Sequence, residues 1–313
     1  MTKESRALSL HAQTDVGRMR EKNEDSHAEY SFPDGSTLII VADGMGGHGH
    51  GEVASAIAVR VIGEVFGKAT MTGADPRERL HTGFVTANHE IIAEAERIAG
   101  KGMGTTCVAA YVRGSEAWVA HIGDSRIYHV REGKVAWRTI DHTRVQKMVE
   151  MGLLSAAQAK DHPDANVVTR ALGYAQLADG TIIEPDVKME PLPLQPGDSL
   201  VLCSDGLYDD VEDHEIAEAM QGRKAMEAAQ FLVQMSNGRG GHDNITCTVL
   251  HYGSETGAFN PTTRPTTIQA AVPAPSMGKK KSGGGAKIAL ILALVGILAA
   301  GAVVIYTQFL AGG

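Results

Sequence analysis

The stretch "TTCVAAYVRGSEAWVAHIGDSRIYHVREGK", residues 105–134, decides the fold. Three apolar runs, 105–112, 116–122 and 126–130, have the length and residue types of strands. The joints "RGS" (113–115) and "REGK" (131–134) are short and rich in turn formers, which predicts antiparallel hairpins. Similar runs occur at 37–42, 199–203 and 245–252. Helical periodicity marks 53–66, 77–98 and two segments within 213–237. Strands grouped together, rather than alternating with helices, predict an α+β fold over a doubly wound parallel sheet. Residues 141–172 interrupt the strands with short polar helices.

The chain has 313 residues and a formal net charge of -8. No basic footprint for nucleic acid is visible, and none is expected as a partner. Cys107, Cys203 and Cys247 stand singly in apolar stretches, which predicts buried, reduced thiols rather than zinc sites or disulfides. The N-terminus has no apolar core of signal-peptide length.

Residues 1–253 read as the folded body. Residues 254–287 change to Pro, Thr, Ser, Gly and Lys, the composition of a disordered linker. Residues 288–310, "IALILALVGILAAGAVVIYTQFL", carry no charge and are long enough for a transmembrane helix. Thirteen Leu, Ile, Val or Phe residues among them sum to about -4 to -8 kcal/mol of insertion free energy. Lys279, Lys280, Lys281 and Lys287 precede this segment, and residues 311–313 are a short tail. The positive-inside rule then predicts a single-pass protein of the inner (cytoplasmic) membrane, with its folded body in the cytoplasm.

Four acids sit at strand ends: Asp43 in "LIIVADG", Asp124 in "WVAHIGDS", Asp205 in "LVLCSDG" and Asp243 in "HDNITCTVL". One such acid is ordinarily a turn former or a helix cap. Four of them, three beside glycine, suggest carboxylates converging on one edge, where they would repel strongly without a cation. All-oxygen ligands select hard ions, Mg²⁺ or Mn²⁺. A carboxylate bridging two such ions would hold a water as nucleophile. In "GRMREKNED", residues 17–25, Glu24 and Asp25 extend the cluster, and the Arg20 guanidinium can grip a phosphate.

Together R20-x-x-N23-E24-D25, D43-G-M-G-G-H48, G104-T-T, I122-G-D124-S-R-I-Y, S204-D205-G-L-Y-D and G241-H-D243-N-I-T resemble the metal-dependent Ser/Thr protein phosphatases of type 2C, bacterial branch. The motifs span residues 14–252 in the family's order. The resemblance implies two packed antiparallel sheets flanked by helices, an α-β-β-α sandwich. It implies that Asp43 bridges two Mn²⁺ or Mg²⁺ ions and that the Gly44 carbonyl reaches one of them. Asp205 and Asp243 would bind the other, with Glu24 and Asp25 beside the ions. Asp124, with Asp205, would hold a third, weaker ion, and Arg20 would bind the substrate phosphate. Residues 144–165 fall where these enzymes carry a flap. Animal members have a histidine directly after the Asp-Gly, where this chain has Met45. His48 is a candidate general acid, and His142 in "DHT" is no stronger.

The function expected is hydrolysis of phosphoserine and phosphothreonine on proteins by a water bridging the ions. Phosphoproteins and an opposing eukaryote-like Ser/Thr kinase are the partners that the resemblance implies. A phosphate-sequestering pseudophosphatase would lack a metal ligand, and none is missing. A P-loop in "GEVFGKAT" (63–70) fails because Ala69 stands where Ser or Thr is required.

Overall fold

The computed structural model describes residues 8–46, 50–68, 71, 73–98, 102–176 and 183–257. All fall in the first of two compact units, Met1–Gln269, the second being Ala270–Gly313. His48, the linker beyond residue 257, the expected span 288–310 and the tail 311–313 lie outside the described residues. Among those described, no helix is long and apolar enough to cross a membrane.

The decisive stretch becomes β5 (Cys107–Arg113), β6 (Glu116–Ile122), β7 (Arg126–Arg131) and β8 (Lys134–Arg138). Both expected hairpins form. β5 and β6 turn at Gly114–Ser115, with Arg113 opposite Glu116. β7 and β8 turn at Glu132 and Gly133, both at positive φ (52° and 69°), as a tight primed turn requires. The joint between them behaves differently. β6 lies in a seven-stranded sheet and β7 in a five-stranded one, so Gly123–Ser125 steps across the sandwich.

The seven-stranded sheet runs β10 (Leu192–Pro193), β6, β5, β3 (Thr37–Gly46), β2 (Asp25–Ser31). Two short strands join it, β4 (Met103–Thr105) on β3 and β9 (Asp186–Val187) on β6. The five-stranded sheet runs β1 (Leu8–Asp15), β12 (Ile245–Tyr252), β11 (Ser199–Cys203), β7, β8. Every pairing between these strands is antiparallel.

Three apolar layers hold the sandwich together. Ile39, Val41, Val108 and Ala110 meet Leu200, Leu202 and Leu250 between the sheets. The opposite faces of those strands, Leu38, Ile40 and Ala109, pack under α1 (Gly51–Gly67) and α2 (Pro76–Ile98). Val201, Cys203, Cys247 and Val249 pack under α5 (Asp205–Tyr208), α6 (Asp213–Ala219) and α7 (Ala225–Arg239). Strands buried on both faces read as unbroken apolar runs, which is why they were visible in the sequence. The three cysteines are free and buried in these layers, and burial pushes the Cys247 thiol up to about 12.

Residues 144–165 hold two short helices, α3 (Arg144–Glu150) and α4 (Ala156–Lys160), capped by Thr143 and Ser155. The body also runs slightly past Gly253: Thr256 and Gly257 bridge to Lys224 and Gln221.

Candidate metal centre

Antiparallel topology carries the acids to one end of both sheets. Asp25 opens β2 and stands directly opposite Asp43 near the end of β3. Asp124 occupies the step from β6 to β7. Asp205 follows β11, and Asp243 precedes β12, its neighbour in the sheet.

The backbone around Asp43 is tightly held. Its carbonyl accepts from the Thr106 N–H at 2.9 Å and the Thr105 hydroxyl at 2.7 Å. Gly44 N–H donates to the Glu24 carbonyl at 3.1 Å. A Cβ at Gly44 would lie 2.2 Å from the Gly51 carbonyl oxygen and 2.5 Å from that of Glu24. Only glycine fits, and the chain passes close enough to lend a carbonyl. The Glu24 carboxylate takes the Gly51 N–H at the start of α1, while burial first, and Glu52 second, raise its pKa.

Burial and mutual repulsion dominate the electrostatics. Asp43 is raised well above the usual range by desolvation, then by Asp205, Asp25 and Asp124. Asp205 is raised likewise by desolvation, then by Asp124, Asp209, Asp243 and Asp25. Desolvation lifts Asp25 to about 6 against hydrogen bonds from Thr246 and Ser204. Asp124 rises to about 7 through burial and the nearby Asp141. One oxygen each of Asp25 and Asp205 (Oδ1 in both) is buried without any hydrogen-bond partner. Unpaired buried carboxylate oxygens are costly, and a hard cation satisfies them. The donor set therefore fits divalent ions bound through oxygen. Asp43, Asp205, Asp25 and Asp124 come together as a cluster. Asp243 lies at its rim, with its Oδ2 taken by Arg20 at 2.6 Å.

Several residues in this frame had no role assigned from sequence. Asn244 accepts from Glu24 N–H at 2.8 Å and donates to the carbonyls of Val16 (3.0 Å) and Lys22 (2.8 Å). The Ser204 hydroxyl donates to Asp25 at 2.8 Å. Arg126 grips Asp141 with two parallel bonds, 2.9 and 2.6 Å, and lies 3.5 Å over the Tyr208 ring. The Tyr208 hydroxyl in turn donates to the Asp124 carbonyl at 3.0 Å. Each of Asn244, Ser204 and Arg126 lies within two positions of a predicted acid, which is the signal that could have found them.

The family profile for protein phosphatase 2C matches residues 18–245, the segment that builds this carboxylate end. The chain belongs to the protein phosphatase 2C family. It is a serine/threonine protein phosphatase of that metal-dependent type. The serine/threonine phosphatase stp of Listeria monocytogenes is 36% identical over 243 residues, 76% of this chain and 94% of that protein. PstP of Mycobacterium tuberculosis is 36% identical over 250 residues, 80% of this chain and 46% of its own length. Among solved structures, the S. agalactiae serine/threonine phosphatase superposes with a TM-score of 0.72 at 34% identity, covering 78% of this chain and 99% of that one. The catalytic domain of PstP in complex with two manganese ions gives 0.66 at 34% identity, covering 79% and 99%.

Proposed function

We propose that this 2C-type phosphatase hydrolyses phosphoserine and phosphothreonine on proteins at the carboxylate cluster. The observation that carries the reading is the set of buried carboxylates, Asp43, Asp205, Asp25 and Asp124, that face one another, with one oxygen each of Asp25 and Asp205 unpartnered. Asp43 and the Gly44 carbonyl would share one divalent ion, with Asp43 bridging to a second held by Asp205 and Asp243. Glu24 and Asp25 would line the pair, and Asp124 with Asp205 would hold a third, weaker ion. Mn²⁺ or Mg²⁺ bound there would supply a water acidic enough to attack phosphorus and positive charge for the developing phosphate oxygens.

The chain's own groups do the rest. Arg20 is half exposed at the rim, so its guanidinium can leave Asp243 for the substrate phosphate and fix the phosphorus over the cluster. Asp205→Asn should lose Mn²⁺-dependent phosphopeptide hydrolysis by about 10³-fold or more while the circular dichroism spectrum persists. Unchanged turnover would overturn the reading.

The same proposal places residues 144–165 as a flap beside the cluster and His48 as a candidate acid for the leaving group. It also places the part of 254–287 beyond residue 257 as a tether and 288–310 as an inner-membrane anchor holding the catalytic body in the cytoplasm. Confinement near membrane proteins would raise its effective concentration toward a Ser/Thr kinase and that kinase's substrates. Deleting 288–310 should move the protein from the membrane fraction to the soluble one. Cells with Asp205→Asn should gain phosphate at specific Ser/Thr sites, and a phosphoproteome without such gains would count against the pairing.

A further inference from the structure

A second cluster of titratable groups lies beside the metal centre. His121 on β6, His142, and Asp186 on β9 bring their ligand atoms within 4.8 Å of one another, as a metal site would. The hydrogen bonds point elsewhere. The Gly123 N–H donates to His142 Nδ1 at 3.1 Å. A backbone N–H can only donate, so Nδ1 is the acceptor and the ring proton sits on Nε2. Turning the ring over would set a carbon against that buried N–H. Nε2–H then donates to Asp186 Oδ2 at 3.1 Å. Arg170 holds the other Asp186 oxygen at 2.7 Å, and its Nη1 lies 3.2 Å from Nε2. A guanidinium only donates, so with Nδ1 already accepting from Gly123 this contact competes with Asp186 for Nε2 and does not set the tautomer. An ion on Nε2 would have to displace the proton and sit against a guanidinium. His121, whose Nε2 bonds the Ile140 carbonyl at 2.9 Å, stacks on the His142 ring with centroids 4.6 Å apart.

What this framework grips is the loop carrying Asp124. His142 N–H donates to the Gly123 carbonyl at 2.9 Å, while its ring accepts from the Gly123 N–H. One residue therefore holds the peptide planes on both sides of Gly123. Gly123 has φ +96°, and a Cβ there would lie 2.5 Å from Thr106 Cβ. Fixing both planes fixes the direction in which Asp124 leaves the chain. Thr106 N–H bonds the Asp43 carbonyl at 2.9 Å, so the clamp abuts the support of Asp43 as well.

We propose that His142 is a positioning residue, which sets the Asp124 carboxylate for its cation by clamping both peptide bonds of Gly123, with its own tautomer fixed by the Gly123 N–H and Asp186. This rests on the reading of Asp124 as a cation ligand. The test is Mn²⁺ calorimetry on the full-length chain, with the ion-free melting temperature measured alongside. Asp124→Asn should abolish the weakest Mn²⁺ site, and if it does not, the reading of Asp124 fails rather than the clamp. With that control in hand, His142→Ala should weaken the same site at least tenfold and leave the tighter Mn²⁺ binding within threefold. His142→Asn places an acceptor where Nδ1 stands and should restore the affinity to within threefold of wild type. Asp186→Asn, which releases the Nε2 end alone, should give an intermediate loss.

Three results would overturn the proposal. His142→Ala could bind Mn²⁺ as wild type does. Ala and Asn could be equally defective, with all sites and the melting temperature falling together, as a purely structural role requires. A Zn²⁺ titration could reveal an added site that is lost in His142→Ala but kept in Asp124→Asn, since metal on Nε2 excludes the tautomer that the clamp needs.

Discussion

Asp198 and Asp205 stand at opposite ends of β11, and desolvation is the largest influence on both. Their fates are opposite. Asp198 receives Arg131 through two bonds of 2.9 and 2.6 Å, His129 at 2.9 Å and the Gln195 N–H at 2.8 Å. These partners outweigh burial and hold its carboxyl well below the usual range. Asp205 meets Asp124, Asp209, Asp243 and Asp25 instead, and its pKa rises far above that range. Burial alone therefore does not mark a functional acid. What distinguishes the two ends is that the protein supplies counter-charge at one and withholds it at the other, leaving that work to a ligand.

The largest test of this contrast is stability. Asp198→Ala leaves Arg131 and His129 without their partner and should cost about 3–5 kcal/mol, read from the urea midpoint. Asp205→Ala relieves repulsion and should raise the melting temperature of the ion-free protein. If both substitutions destabilise alike, the contrast fails.

The pH response comes next. In the ion-free protein, Asp25 and Asp124 keep their protons up to about 6 and about 7, while the unfolded chain releases them near 3.8. Across that interval the native state binds more protons, so stability must fall as pH rises. Between pH 5 and 7.5 the melting temperature should drop by roughly 5 °C or more without metal. Saturating Mn²⁺ should reverse the trend, because binding requires the ionised carboxylates. A flat ion-free profile would mean that the cluster does not repel.

Gly44→Ala forces a methyl into the Gly51 and Glu24 carbonyls, and should cost about 1–3 kcal/mol and weaken Mn²⁺ binding. Wild-type Mn²⁺ affinity in that variant would show that the backbone does not approach the ion. The smallest effect belongs to Arg20→Ala. KM for a phosphopeptide should rise by about three- to tenfold with kcat nearly unchanged, as expected for lost substrate binding. A fall in kcat alone would assign Arg20 to the chemical step.

Much of the fold was legible because its strands are buried on both faces. Residues 37–42, 105–112 and 245–252 were readable as uninterrupted apolar runs. β1, "LSLHAQTD", and β2, "DSHAEYS", are half-buried and polar along much of their length, and were not among the strands read from the sequence. The acids were legible because each flanks a strand. Their convergence was not, since it depends on register, on the step between sheets at Gly123–Ser125, and on partners distant in the chain. The opposition of Asp25 to Asp43 and the pairing of Arg20 with Asp243 are of that kind. The role of the Gly44 carbonyl was implied only by the family resemblance, and the close backbone contact that demands glycine there became visible only in the fold.

The position of β12 has a consequence for how the enzyme comes into being. It lies between β1 and β11, yet it is the last strand of the folded body to leave the ribosome. Asn244, at its threshold, ties down the loop that carries Glu24, more than 200 residues earlier in synthesis. A nascent chain stopped before residue 243 has a gap in the middle of a sheet and lacks both Asp243 and that tie. The interior of the five-stranded sheet and the anchoring of the Glu24 loop are thus completed together, in one late step, after nearly the whole body has been translated.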